Sequence, residues 1–213
     1  AVKSDDSYAV INYEKWALAP FDLNIEPQRI TLNNFHFEHD STQYLNINGA
    51  ITQAPEDTLS VALNNVDLGY LLSLVKLEGI SFGGMISGNI NASALQSSLP
   101  MVEARINAQD FSFCKGVMGD ADINAHWNSD SARLEFTADI NETLQDTTRV
   151  NGMYSIKDNE LMLDVEANNT DISFLNDLTS SFIDNVDGHA NGHLLLGGKL
   201  NNLDMEGVLL ADA

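Results

Sequence analysis

The sequence predicts an all-β protein, a repetitive antiparallel meander carrying two short capping helices. Apolar residues recur with period two along almost the whole chain. The runs have strand length and are punctuated at short intervals by Asn, Asp, Gly and Ser. The stretch from Asn64 to Ala94 is also written a second time, without a gap, from Asn168 to Gly198, 104 residues on. Period two means strands with one dry and one wet face. Short, evenly punctuated spacing favours hairpin connections over βαβ crossovers. A long internal repeat favours a modular architecture over one closed globule.

The elements follow in order. Phe21, Leu23 and Ile25 alternate with polar residues, as do Ile30 with Leu32 and Phe35 with Phe37. Leu45, Ile47, Gly49 and Ile51 form the next run, and Leu59, Val61 and Leu63 the one after. The period then changes. Leu68, Leu71, Leu72 and Val75 lie on one helical face, predicting a helix near 68–76 with Asp67 as its N-cap. Alternation resumes through Val102–Ala108, Ile123–Trp127, Leu134–Ile140, Val150–Ile156 and Leu161–Ala167. Ile172, Leu175, Leu178 and Phe182 predict a second helix near 172–182, capped by Asp171. Helices this short are marginal alone, so each must lay its apolar face on the sheet, at an open edge or mouth.

The repeat spans about 45–110 and 149–213, with Leu59, Val61 and Leu63 matching Leu163, Val165 and Ala167, Gly84 matching Gly188 and Gly88 matching Gly192. Only this long period is visible. Leu203-Asp204-Met205-Glu206-Gly207 falls where Leu99–Glu103 sits in the first copy, and the pattern stops at Ala213. The whole chain, 1–213, therefore reads as one repeat region cut from a longer protein, and its terminal strands are expected to present unpaired edges. Asn pairs (Asn33-Asn34, Asn64-Asn65, Asn168-Asn169, Asn201-Asn202) suit strand ends and tight corners, where Asn tolerates positive φ.

Composition excludes several functions. With 10 basic and 31 acidic residues the net charge is −21, a field that repels nucleic acid and anionic membrane surfaces. The acidic residues are scattered, as on a solvated face. Cys114 is the only cysteine and sits beside Phe111 and Phe113, as a small buried hydrophobe does. No signal peptide or membrane span is visible.

Candidate chemical sites are weak. His189 and His193 would lie about 13 Å apart on a strand, too far to share a metal. His36 and His39 would point to opposite faces. Asp184–Gly188 lacks the spacing of a calcium loop. Asp120 and Asp122 share a face without the split environments of an acid–base pair. No nucleophile–base set, phosphate loop or dinucleotide fingerprint is present, so no enzyme, metal or cofactor is expected.

Three phrases carry a family resemblance. They are the strand-then-helix run Leu63–Leu72, the glycine-punctuated strands Gly84–Ile90 and Gly188–Leu194, and the closing run Leu203–Ala213. With these the chain resembles the TamB/AsmA-like envelope proteins, in particular the TamB-like members of Bacteroidetes. The resemblance covers most of the chain from about Leu45 onward. It implies a long sheet curled into an open trough, the β-taco, with aliphatic side chains inside. It also implies a periplasmic location, with a parent protein anchored in the inner membrane of a Gram-negative bacterium. The implied role is outer-membrane biogenesis: moving phospholipid, or assisting an Omp85-type assembly partner. The family pattern supplies no catalytic residues.

An apolar face can shield acyl chains at about 0.8 kcal/mol per buried CH₂. Leu45, Ile47, Val61, Leu63, Leu134, Phe136, Leu163, Val165, Leu194 and Leu196 are the residues expected to line it. The alternative is a non-catalytic structural or adhesive spacer whose apolar face is a sealed core.

Overall fold

The computed structural model describes residues 2–3, 5–11, 13–73, 81–114, 116–143, 146–179, 186–200 and 202–212. Strand alternation dominates it, as the sequence predicts. The strands are β1 (Val2–Lys3), β2 (Ser7–Ile11), β3 (Glu14–Leu18), β4 (Asp22–Glu26), β5 (Arg29–Glu38), β6 (Tyr44–Ile51) and β7 (Thr58–Asp67). After helix α1 (Leu68–Ser73) come β8 (Phe82–Ser93), β9 (Met101–Phe113), β10 (Gly116–Asn128), β11 (Arg133–Thr143), β12 (Asp146–Ser155) and β13 (Glu160–Asp171). Helix α2 (Leu175–Thr179) precedes β14 (His189–Lys199) and β15 (Asn202–Asp212).

All strands belong to one sheet, ordered β1-β4-β5-β6 and then consecutively to β15. The order is open, not closed into a barrel, with β1 at one end and β15 at the other. The hairpin β2–β3 lies off this path: β3 pairs with β5 through Ala17 and Leu18, on the edge that β4 uses further along. By internal packing the chain divides into two compact units. The first comprises Ala1–Val66, Ile86–Ile106 and His126–Ser131, and the second Asp67–Met85, Asn107–Ala125 and Ala132–Ala213.

The Asn pairs are placed differently from expectation. Asn33-Asn34, Asn64-Asn65 and Asn168-Asn169 lie inside strands, not at their ends. At each the alternation skips a beat. On β5 the ladder to β6 shifts between Leu32 and Phe35, and on β13 the ladder to β14 shifts between Ala167 and Thr170. The second Asn of each pair has positive φ: Asn34 (59°), Asn65 (51°) and Asn169 (49°). Its backbone N–H turns to a side chain on the following strand. Asn34 donates to Asn48 Oδ1 at 2.6 Å, Asn65 to Ser87 Oγ at 2.9 Å, and Asn169 to Asn191 Oδ1 at 2.9 Å. Asp110 repeats the device, with φ 50° and its N–H on Asp120 Oδ1 at 3.1 Å.

These are β-bulges, in which an extra residue enters one strand and the next side chain returns to its original face. A third register shift falls between Asn141 and Thr143 on β11. The shifts near 34, 142 and 169 and the matching positive-φ residues Asn65 and Asp110 come once per hairpin, so the long repeat overlies a shorter, uneven one that the sequence alone did not resolve.

The two copies match in backbone detail. Positive φ occurs at Asn65 and Asn169, Gly84 and Gly188, Gly88 and Gly192, and Ala94 and Gly198. Gly88 (152°) and Gly192 (150°) also permit close strand approach. A Cβ on either would lie 2.1 Å from a carbonyl oxygen, of Arg105 or Val208 respectively.

The helices differ from each other. Asp67 Oδ1 accepts the N–H of Tyr70 at 3.1 Å, three residues on, as an N-cap does. The second helix begins at Leu175 rather than 172. Asp171 Oδ1 accepts from Ser173 N–H at 2.7 Å, and Leu175 and Asn176 bond back to the carbonyls of Ile172 and Ser173. Asp171 thus closes a turn before α2, because Ile172 N–H is taken by Gly188 O. The remainder of both expected helices, 74–76 and 180–182, lies outside the described residues.

Candidate functional site

Directly opposed residues in an antiparallel ladder share a face. Strand register therefore assembles the apolar residues into rows. In the first unit one row is Leu18, Phe37, Leu45 and Leu63, and the next is Phe35, Ile47 and Val61. Beyond the bulge follow Leu23, Leu32, Gly49 and Leu59, then Ile25, Ile30 and Ile51. Without the extra residue at the bulge, Phe35 and Phe37 would point to the opposite face from Ile30 and Leu32.

In the second unit one row is Ala138, Val150, Val165, Leu194 and Gly207, and the next is Phe136, Gly152, Leu163, Leu196 and Met205. The third is Leu134, Tyr154, Leu161, Gly198 and Leu203. Phe136 lies over Gly152: a Cβ there would sit 2.1 Å from the ring. A glycine opposite an aromatic side chain is a cross-strand pair in which the ring covers the bare backbone.

All ten expected lining residues thus fall into these rows, Leu45, Ile47, Val61 and Leu63 in the first unit and the other six in the second. Four are buried: Leu63 (7% exposed), Val165 (7%), Leu194 (3%) and Leu196 (3%). Leu45, Ile47, Val61, Leu134, Phe136 and Leu163 are half-buried. The rows therefore combine sealed contacts with apolar surface still open.

The opposite face is polar on β5 and β6 and mixed on β13–β15, where Met162, Leu195, Val208 and Leu210 are exposed beside charged residues. On β5 and β6 it carries His36, Glu38, Tyr44 and Asn46. His36 hydrogen-bonds Asn46 Oδ1 at 2.5 Å and Glu38 Oε2 at 3.0 Å, and these two contacts hold its pKa above the usual imidazole value. His189 and His193 share a face but serve different carboxylates, Glu142 at 2.8 Å and Asp164 at 2.7 Å. Among the described residues no group of three or more His, Cys, Asp or Glu could hold a metal. Asp120 and Asp122 serve Asp110 N–H and Asn107 Nδ2, both structural contacts. Asp184 and Asn185 lie outside the described residues.

In the second unit Phe82, which opens the strand after α1, and Phe174, directly before α2, join a cluster of aromatic rings. Phe82 lies 6.3 Å from Phe111 and 5.3 Å from Phe113, and Phe113 lies 5.8 Å from Phe174. Phe174, Phe113, Phe111 and Cys114 are buried. Gly116 lets this turn seat closely, since a Cβ on it would lie 2.9 Å from Phe174 N.

The sequence reading missed a second aromatic group, in the first unit. Trp16 stacks on Phe37 at 5.2 Å, Phe37 lies 6.5 Å from Phe35, and Phe35 lies 5.2 Å from Phe21. The alternation of Trp16 with Leu18 carried the signal, but the pairing of β3 with β5 is non-consecutive and leaves no local mark.

An apolar face built of lateral rows and an open strand order are the features that the family resemblance implied. The TamB N-terminal domain matches the chain over residues 10–210. The chain belongs to this family. TamB-family proteins act in biogenesis of the cell envelope, and the chain is a TamB-type envelope segment. None of its described helices is long and apolar enough to cross a membrane. No curated protein and no solved structure matches the chain.

Proposed function

We propose that this TamB-type domain shields phospholipid acyl chains in the periplasm during transport between the two membranes. It is a non-catalytic part of a parent protein anchored in the inner membrane. The observation that carries this reading is the continuity of aliphatic rows across neighbouring strands with six of the ten lining residues only half-buried. Apolar surface of this kind is an acceptor for hydrocarbon at about 25 cal/mol per Å² covered. The polar face, with its net negative charge, keeps the carrier soluble and off anionic headgroups. Assistance to an Omp85-type partner is compatible with the same domain.

The test is native mass spectrometry of the chain with added phospholipid. Wild type is expected to retain acyl lipid. Ile47→Asp and Leu163→Asp place a charge on half-open row positions and are expected to lose it while remaining folded. Asn46→Asp, on the polar face, is expected to bind as wild type does. Wild type that retains no phospholipid would overturn the reading and leave the structural spacer in its place.

A further inference from the structure

At Gly188 the internal repeat meets a carboxylate. The second copy has glycine there at φ 103°, as the first has Gly84 at φ 122°, a conformation that favours glycine. The residue before Gly84 is Gly83, whereas the residue before Gly188 is Asp187. Asp187 is exposed, and its Oδ1 accepts the backbone N–H of Gly188, its own neighbour, at 2.9 Å. The carboxyl carbon, one bond from Oδ1, is thus folded toward an amide nitrogen whose residue carries no Cβ to shield it.

Three Asn-Gly pairs offer the same encounter in the sequence: Asn48-Gly49, Asn151-Gly152 and Asn191-Gly192. In an unfolded chain these react more readily than Asp-Gly, because a side-chain amide loses ammonia more easily than a carboxylate loses water. The fold withdraws them. Asn48 and Asn191 turn their Oδ1 to the N–H groups of Asn34 and Asn169 on the preceding strands. Asn151 lies inside β12, opposite Thr137 on one side and Asp164 on the other. Ring closure needs the peptide unit to turn out of the extended form, which ladders on both sides oppose.

We infer that Asp187-Gly188 is a site of self-modification, at which the folded chain forms a cyclic imide and then isoaspartate, and that this loosens the turn before α2. Gly188 N attacks the protonated Asp187 carboxyl at Cγ. The new N–Cγ bond forms as the amide proton and the carboxyl OH leave as water. Water then opens the imide at either carbonyl. Opening at Cγ restores aspartate. Opening at the Asp187 main-chain carbonyl leaves Gly188 joined through the side chain, with a free α-carboxylate. The backbone gains one carbon directly before β14, where Gly188 O accepts the N–H of buried Ile172 at 3.0 Å.

The test ages the folded 213-residue chain at neutral pH beside the same chain in urea. Peptide fragmentation that separates isoaspartate from aspartate follows each site with time. In urea Asn48, Asn151 and Asn191 are expected to convert first. In the folded chain the order is expected to reverse, with conversion at Asp187 at least as fast as in urea. Amide exchange at Ile172 is expected to quicken in aged wild type but not in aged Asp187→Glu, whose longer side chain does not close this ring. Conversion of any of the three asparagines ahead of Asp187 in the folded chain, or slower conversion of Asp187 there than in urea, would overturn the site. An Ile172 amide that stays protected in the modified chain would overturn the loosening.

Discussion

Gly88→Ala tests whether close strand approach at the bulges sets the stability of the sheet. Gly88 sits at φ 152°, where an L side chain is strained by about 1–3 kcal/mol. The added Cβ would lie 2.1 Å from Arg105 O and 2.9 Å from Ile106 Cα, both backbone atoms of β9 that no rotamer change can move. Relief requires β8 and β9 to part by about 1 Å, which takes the flanking hydrogen bonds beyond bonding distance. Two such bonds are worth about 1 kcal/mol each. Together the strain and the lost bonds come to about 3–5 kcal/mol, or a fall in Tm of about 6–20 °C for a chain of this size.

Gly192→Ala makes the same contact, 2.1 Å from Val208 O, but β15 stands last in the strand order and can detach. Its global cost is expected to be smaller and to appear as fast amide exchange confined to β15. Gly197→Ala is the control, with nothing within 4 Å of the new methyl. Urea unfolding followed by circular dichroism measures all three. A Gly88→Ala protein within about 1 kcal/mol of Gly197→Ala would refute the reasoning, since substitutions free of contacts usually fall inside that margin.

Two further outcomes are expected. Asn169→Val places a β-branched residue at φ 49° and removes the Asn169 Nδ2 bond to Asp146, at a cost of about 1–3 kcal/mol by urea unfolding. Asn169→Gly should cost less, and equal stability of the two would contradict the bulge account. His36 has a raised pKa in the folded chain because of Asn46 and then Glu38, so the stability it contributes is complete below the ordinary imidazole pKa of about 6.5 and is lost as pH rises through the raised folded value. Between about pH 6 and pH 8 the Tm of wild type should therefore fall relative to that of His36→Gln, and parallel curves would show that the Asn46 and Glu38 contacts do not favour the charged ring.

Between bulges, the sequence by itself determined which residues share a face of the sheet. Pleating forces successive side chains to opposite faces, so Leu45 with Ile47 and Leu161 with Leu163 had to fall together whatever their partners. It also determined the two helical interruptions, because Leu68–Leu72 and Ile172–Leu178 break a period of two. The skipped beats from Leu32 to Phe35, Leu63 to Val66 and Ala167 to Thr170 were legible too, yet they read equally as strand ends.

Tertiary structure decided between those readings. The side chain that receives each bulge N–H, Asn48, Ser87 or Asn191, lies on the next strand and 14 to 22 residues away. A local pattern does not encode whether that acceptor arrives. The same holds for Trp16, which meets Phe37 only because β3, besides its hairpin with β2, pairs with β5 and not with β4, the strand that follows it in the chain. Local period is fixed by backbone geometry. Strand partnership is fixed by the balance of loop entropy against long-range pairing, and that balance belongs to the whole fold.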